Sequence, residues 1–180
     1  MNKNTGPLSH VRVLDLSRIL AAPWAAQILA DLGAEVIKVE KPGAGDDTRA
    51  WGPPFLKDVN GDHTKEAGYY LAVNRGKRSI TVNLDTTEGQ QIIKQLVTKV
   101  DIVLENYKVG TLERYGLDEK SLRKINPGLI YCSVTGFGQT GPRRDQSAYD
   151  FLIQAMGGLM SVTGEKDGKP GAGPSRQALP

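Results

Sequence analysis

The segment 36–49, VIKVEKPGAGDDTR, joins an apolar run to a loop that combines glycines, a proline, acids and bases. Gly43 and Gly45 allow the backbone to approach a ligand closely, and Lys41 stands at the start of the loop. In an open α/β sheet, the loops that leave the carboxyl ends of parallel strands form the ligand crevice. The segment therefore indicates a binding loop, with a solvated connection of ordinary turn residues as the alternative.

Basic, amide and aromatic side chains elsewhere in the chain are suited to a nucleotide that carries phosphates. Lys77 lies in the segment 73–79, VNRGKRS, and Arg114 lies in a short segment with a helical pattern. Lysine binds phosphate as a point charge, and arginine binds it through a bidentate fork. Asn106 offers both a donor and an acceptor, and Tyr107 can stack on a flat ring.

Two further loops follow apolar runs that are typical of strands. The first is 17–23, SRILAAP, and the second is 135–142, TGFGQTGP, which includes Gly136 and Gly138. Three glycines and a proline in eight residues are more than a turn requires, so a binding loop is favoured over a simple turn. If all these loops leave the carboxyl ends of strands, they can share one rim.

Alternating strand and helix patterns position these loops. The chain shows no internal repeat, and Thr86 is suited to cap the long central helix. Strands separated by helices predict an α/β fold in which a parallel sheet carries helices on its faces. The predicted strands are 11–16, 35–39, 78–84, 101–105 and 129–134, the predicted helices are 23–32, 86–100, 109–115, 118–125 and 147–160, and 41–66 is predicted to be irregular.

Composition limits the classes of function. The 180 residues carry a net charge of +3, which is too small to indicate a nucleic-acid partner in the absence of a basic stripe. No apolar run approaches the length of a membrane span, and the N-terminus lacks the apolar core of a signal peptide. A single cysteine, Cys132, cannot form an internal disulfide, so we expect a reducing, cytoplasmic location.

Several common catalytic patterns are missing from the sequence. The first strand–helix turn, DLSRILAAP, has no G-x-G-x-x-G, and the sequence contains no Walker-type loop and no G-x-S-x-G elbow. His10 and His63 have no partner at metal-ligand spacing, so we expect surface histidines and no metal site. Cys132 lies inside an apolar run, and we expect it to be a buried small hydrophobe and not a nucleophile.

The order of the motifs carries a family resemblance. The chain resembles the family III CoA-transferases, also called the CaiB/BaiF family, from about Leu8 to Gly173. The resemblance implies a Rossmann-like large domain, an acyl-CoA and a carboxylic acid as substrates, no permanently bound cofactor, and a homodimer of two interlocked chains. The matching segments are 11–49, 74–84 (NRGKRSITVNL), 103–107 (VLENY), 133–142 (SVTGFGQTGP) and 149–164 (YDFLIQAMGGLMSVTG).

The resemblance also assigns site residues. It places a loop near the thioester at 20–23, and it implies contacts with CoA from the basic, amide, aromatic and glycine positions already described. These residues are Lys41, Lys77, Asn106, Tyr107, Arg114, Gly136 and Gly138.

The catalytic residue that the resemblance implies is an aspartate, which attacks the thioester to give an enzyme-bound anhydride and then an aspartyl-CoA thioester. In the family this aspartate follows the segment that here reads GKPGAGP, and this chain continues with SRQALP and ends. We therefore expect a truncated large domain over 8–164 and a loose tail over 165–180, unlike the family from Ser175. The aspartate is then expected beyond Pro180, with the chain inactive by itself and its dimerisation in doubt.

Three alternatives accompany this prediction. The chain can be a non-enzymatic CoA-binding module, or a fragment too incomplete to be stable. A relative of the acyl-CoA racemases is disfavoured, because Tyr149 stands where those enzymes use a histidine as the base. The neighbouring Asp150 is interpreted as a packing or capping acid.

Overall fold

The computed structural model describes residues 5–164, which form two compact units divided between Val134 and Thr135. The strands are β1 (Arg12–Asp15), β2 (Glu35–Glu40), β3 (Phe55–Lys57), β4 (His63–Ala67), β5 (Arg78–Thr81), β6 (Ile102–Glu105) and β7 (Ile130–Ser133). The α-helices are α1 (Ala21–Asp31), α2 (Gly68–Asn74), α3 (Thr87–Val97), α4 (Thr111–Arg114), α5 (Glu119–Ile125) and α6 (Asp150–Met156), and 3₁₀ turns occupy Asp47–Ala50 and Leu159–Ser161.

The main sheet of the first unit is parallel, with the strand order β5-β2-β1-β6-β7. The chain winds from β1 through β2 to β5 and then returns to β6 on the other side of β1. Such a reversal of winding opens a crevice at the carboxyl ends of the two strands that flank it. The predicted α/β fold with a parallel sheet is confirmed.

Alternation along the strands places apolar side chains on both faces of the sheet. In β1, Val13 belongs to one buried cluster and Leu14 to another, as the period of two requires. The small residues Ala22 and Ala26 of α1 join the Val13 cluster, so that helix approaches the sheet closely. Ile93 of α3 packs in the Leu14 cluster. The core therefore lies on both sides of β1 and fixes the carboxyl ends of the central strands.

Helix α3 begins as the sequence predicts. The Thr86 hydroxyl accepts a hydrogen bond of 3.1 Å from the Gly89 amide, which satisfies one of the free donors of the first turn. Helix α6 is shorter than predicted, because it ends at Met156 and the following Gly157 and Gly158 break the helix before a short 3₁₀ turn.

Two expectations were wrong, and one helix was not predicted. The stretch 41–66 is not irregular throughout, since it contains a 3₁₀ turn and the antiparallel hairpin of β3 and β4. Helix α2 was not predicted. Cys132 is exposed and not buried, because β7 is an edge strand on which Ile130 and Cys132 share an exposed face. The predicted tail 165–180 lies outside the described residues.

The structure bears on two further expectations from the sequence, which concern the exposure of the histidines and the presence of membrane-spanning helices. His10 and His63 are both exposed, as expected. Among residues 5–164, no helix is long and apolar enough to cross a membrane.

Candidate functional site

A cleft of about 430 Å³ opens at the carboxyl edge of the main sheet. Its walls come from the loops after β1, β2, β5 and β6, so the predicted rim after β1, β2 and β6 is confirmed within the first unit. The lining residues are Ser17, Arg18, Val39, Glu40, Lys41, Ala44, Gly45, Asp46, Asp47, Val82, Asn83, Leu84, Asp85, Tyr107, Thr111 and Tyr115.

Two basic side chains line this cleft. Lys41 is exposed directly after β2 and forms no ion pair within residues 5–164. The Arg18 guanidinium, after β1, lies 2.9 Å from a carboxylate oxygen of Asp47, and both side chains are about half exposed. A guanidinium has five N–H donors, so this one pair leaves others of Arg18 available to an anion in the cleft.

Asn106 binds the loop after β1 to the loop after β6. Its Oδ1 accepts a hydrogen bond of 2.8 Å from the Arg18 amide, and its Nδ2 donates one of 2.7 Å to the Arg18 carbonyl oxygen. Both polar atoms of the side chain are thus used on one residue of the neighbouring loop. The amide joins the two strands at which the winding reverses.

Aromatic residues form the wall on the β6 side. Tyr107 lines the cleft and packs against the core, and burial raises the pKa of its phenol. Tyr115 donates a hydrogen bond of 2.6 Å to Asp85, and this bond is the main cause of its raised pKa. Since both phenols stay neutral at ordinary pH, these tyrosines offer flat, uncharged surfaces to a ligand.

Glu40 closes the floor of the cleft at the end of β2. Its carboxylate accepts hydrogen bonds from Arg49 at 2.7 and 2.9 Å, from the Tyr70 hydroxyl at 2.8 Å and from Ser79 at 2.6 Å. Burial by itself raises the pKa of this carboxyl, but these bonds and one from the Asp46 amide outweigh it and lower the pKa to about 2. Glu40 is therefore a fixed anion that holds the loop after β2.

Lys38 and Asp46 form an ion pair of 2.9 Å in which each side chain is only 1% exposed. The Lys38 ammonium also donates to the Ser17 carbonyl oxygen at 2.9 Å. Asp46 accepts hydrogen bonds from Ile19 N at 3.2 Å and from the amide and hydroxyl of Thr48 at 2.9 and 2.7 Å. Because of these partners, burial does not prevent the pKa of Asp46 from falling below its usual value.

Lys77 lies in the interior and is absent from the cleft lining. Its ammonium contacts Asp15 at 2.8 Å, the Pro23 carbonyl oxygen at 2.7 Å and Asn74 at 3.1 Å, and its side chain is 2% exposed. Burial lowers its pKa, and the Asp15 carboxylate counteracts this effect. These contacts argue against the direct contact with phosphate that the sequence predicts for Lys77.

The remaining candidate residues occupy different places. Arg114 is exposed at the end of α4 and is not part of the lining, although Thr111 and Tyr115 on either side of it are. Gly136 and Gly138 belong to the second compact unit. A Cβ at Gly136 would lie 1.9 Å from that of Ala148, and Gly138 has a φ of +78°, so packing and backbone geometry account for both glycines.

Sequence reasoning gave no individual role to four residues that shape the cleft, Arg18, Lys38, Asp46 and Asp85, although the first three lie in the segments 17–23 and 36–49 that it selected. From its position in an alternating strand, Lys38 would be expected to face solvent. It is buried because Asp46, in the loop after β2, forms an ion pair with it. The available signal for Arg18 was its position directly after a predicted strand, the same rule that selected Lys41.

Comparisons with known proteins agree on one family. A family model described as CoA-transferase family III matches residues 8–177. The chain is 58% identical over 164 residues to the succinate–glutarate CoA-transferase of Agrobacterium fabrum, covering 91% of this chain and 41% of that protein. It is 50% identical over 167 residues to the human succinyl-CoA:glutarate CoA-transferase, covering 93% of this chain and 36% of that protein.

A solved structure has the same fold. The crystal structure of a CaiB/BaiF family protein from Brucella suis superposes with a TM-score of 0.87 at 53% identity, covering 98% of this chain and 44% of that one. The chain spans about two fifths of the length of the curated relatives named above.

Proposed function

The chain belongs to the CoA-transferase family III, and we propose from this membership that the cleft at the carboxyl edge of its sheet binds the CoA part of an acyl-CoA. The observation that carries the proposal is the pair of accessible cations, Lys41 and Arg18, at the ends of adjacent strands. Phosphate groups are recognised by such charges, as a point charge from lysine and as a fork from arginine.

The proposal assigns roles by position in the cleft. Lys41 and Arg18 bind phosphate oxygens, and the ring of Tyr107 packs against the adenine, since a neutral aromatic face suits a flat heterocycle. Asn106 acts through Arg18, because both of its polar atoms already bind that residue. Arg114 extends the positive charge beside the cleft. Lys77 is assigned to the support of the loop after β1 and not to phosphate.

Gly136 and Gly138 keep the role that the resemblance implies, which is to line the channel for CoA. A glycine-rich backbone permits close approach of a ligand in addition to its structural use.

For the whole protein, we propose transfer of CoA between succinyl-CoA and a dicarboxylate such as glutarate. Two relatives at 58% and 50% identity carry names with these substrates. The reaction proceeds through an aspartate: its carboxylate attacks the thioester carbonyl and releases the CoA thiolate, which then attacks the aspartyl carbonyl of the anhydride and frees the first acid. The acceptor acid reverses the two steps. No residue of this chain is assigned as that aspartate.

Binding of CoA is measured by isothermal titration calorimetry with the wild-type protein, Lys41→Ala and Lys99→Ala. Lys99 is an exposed lysine at the opposite, amino edge of the sheet, so its removal changes the net charge equally without touching the cleft. We expect Lys41→Ala to weaken binding by about tenfold, the value of one hydrogen bond to a charged group, and Lys99→Ala to have no effect. Equal effects of both variants would refute the assignment of Lys41.

Catalysis is tested separately by incubating the protein with succinyl-CoA and glutarate and measuring glutaryl-CoA. We expect CoA binding without exchange, because no residue of this chain is assigned as the aspartate, and measurable exchange would overturn the expectation that the chain is inactive by itself. Absence of both binding and exchange would refute the proposed function.

A further inference from the structure

Residue Ile19, in the loop after β1, has a φ of +71° and is the only described residue other than glycine with a positive φ. A β-branched side chain in this region is strained, and such a conformation persists only where neighbouring groups hold it. The strain lies directly beside Arg18, which lines the cleft.

Besides Asp15, which accepts the Ser17 amide hydrogen at 3.0 Å, three residues hold the backbone of this loop through their side chains, and two of the three form one buried ion pair. Asp46 accepts the Ile19 amide hydrogen, and Lys38, paired with Asp46, donates to the Ser17 carbonyl oxygen. Asn106 supplies the third contact by binding the amide and the carbonyl of Arg18. The backbone is therefore held on both sides of Arg18 as well as at Arg18 itself.

We propose that Asp46 is a positioning residue that, together with Lys38, holds Ile19 in its strained conformation and thereby directs the Arg18 guanidinium into the cleft. The adjacent Asp47 complements this action, because it contacts the guanidinium itself at 2.9 Å. Asp46 thus sets the backbone of the loop, and Asp47 orients the side chain. The proposal rests on the proposed binding of CoA in this cleft.

An alternative role for Asp46 is stability alone, and a double-mutant cycle with Arg18 separates the two. The variants are Asp46→Asn, Arg18→Ala and the double variant, and CoA affinity is measured by calorimetry well below each melting temperature. If Asp46 acts through Arg18, each single change weakens CoA binding by about tenfold and the double variant is no weaker than either, since effects on a shared contact are not additive.

Two results would overturn the proposal. One is an unchanged affinity in Asp46→Asn, and the other is a double variant whose loss equals the product of the two single losses. Failure of the proposed function has a different signature, because the wild-type protein itself would then show no CoA binding.

Asp46→Asn leaves the Lys38 ammonium buried without its counter-ion, and this variant can fail to fold. The companion variant Lys38→Met/Asp46→Asn removes both charges, and a neutral replacement of a buried pair is often tolerated. It also removes the bond to Ser17, so we expect the same loss of CoA affinity with a cooperative melting transition. Unfolding of both variants would assign Asp46 to stability and overturn the proposal.

Discussion

At the carboxyl edge of the sheet the ion pair of Lys38 with Asp46 is buried, whereas the ion pairs that Glu35 forms at the amino edge lie on the surface. Lys38 and Asp46 are each 1% exposed, while Arg12, which pairs with Glu35 at 3.4 Å, is 57% exposed. A second partner of Glu35, Arg78, contacts it at 2.8 Å and is even more open to water, at 69% exposed. Exposed pairs contribute little to stability, whereas loss of one partner from a buried pair is costly.

The difference indicates what the two edges are used for. Each edge has a depression, of about 430 Å³ at the carboxyl edge and about 310 Å³ at the amino edge. The first is backed by a buried ion pair that binds the backbone of the loop after β1, through the contacts of Lys38 with Ser17 and Asp46 with Ile19. Buried charge at the carboxyl edge therefore serves to fix loop geometry.

The largest expected effect is that of Asp15→Asn, at the end of β1. This change leaves the Lys77 ammonium buried without a counter-ion, and breaking such a pair costs about 3–5 kcal/mol. Urea denaturation monitored by circular dichroism measures the loss in free energy of unfolding. If Asp15→Asn lowered the free energy of unfolding by less than about 1 kcal/mol, the buried pair would contribute no more than an exposed one, and the two edges would not differ.

Acid should selectively weaken the carboxyl edge through Glu40. Its pKa lies at about 2 in the folded protein against an ordinary value of 4.5. A lowered carboxyl pKa stabilises the fold above the unfolded pKa, so this contribution, up to about 3 kcal/mol, is complete above about pH 4.5 and is lost as the pH falls towards 2. Urea denaturation between pH 6 and 2 checks it, with Glu40→Gln as the reference. If the free energy of unfolding depended on pH in the same way in the wild-type protein and in Glu40→Gln, the prediction would be contradicted.

The strain at Ile19 is tested by comparing Ile19→Ala with Ile19→Gly. Both variants remove the same apolar side chain, but only glycine adopts a positive φ at no cost. We expect the glycine variant to be the more stable by about 1 kcal/mol, the reverse of the usual order in regular structure. Differential scanning calorimetry of the two variants measures this, and a more stable alanine variant would mean that the loop is not strained.

The smallest effect is expected at the amino edge, from Glu35→Gln. Glu35 pairs with Arg12 and Arg78, whose side chains are 57% and 69% exposed, so we expect a loss of less than about 1 kcal/mol. Because salt screens exposed charges, the difference from the wild-type protein should vanish in 1 M NaCl. A larger loss that persists in salt would mean that the amino edge, too, depends on its charges.

The parallel sheet and the rim formed by the loops after β1, β2 and β6 were predictable because they follow from local patterns. Apolar runs typical of strands alternate with segments whose apolar residues have helical spacing, which predicts a parallel sheet. Loops that follow parallel strands meet at one edge whatever their side chains are. Lys41 was found in this way. Even Thr86 was identifiable as a helix cap, since capping depends on the residues immediately around it.

Long-range pairing was not predictable from one sequence. Lys77 carries the positive charge that a phosphate ligand needs. Its ammonium, however, contacts Asp15, 62 positions earlier, and that contact places it in the interior. Lys38 looks like a solvated residue of its strand until Asp46 is brought beside it. The hairpin of β3 and β4 is similarly hidden, because its short strands lack a continuous alternation of apolar residues. The positive φ of Ile19 has no local signature at all.

The clasp formed by Asn106 has a consequence for the chemical durability of the molecule. Its amide presents one acceptor and one donor to Arg18, so both groups are needed at the same time. Deamidation to aspartate would replace the Nδ2 donor by a second acceptor. A carboxylate oxygen would then face the Arg18 carbonyl oxygen, and the two negative atoms would repel each other. One hydrolysed amide, which changes the mass of the protein by about one dalton and barely alters the shape of that side chain, would therefore separate the two loops at the reversal of the sheet.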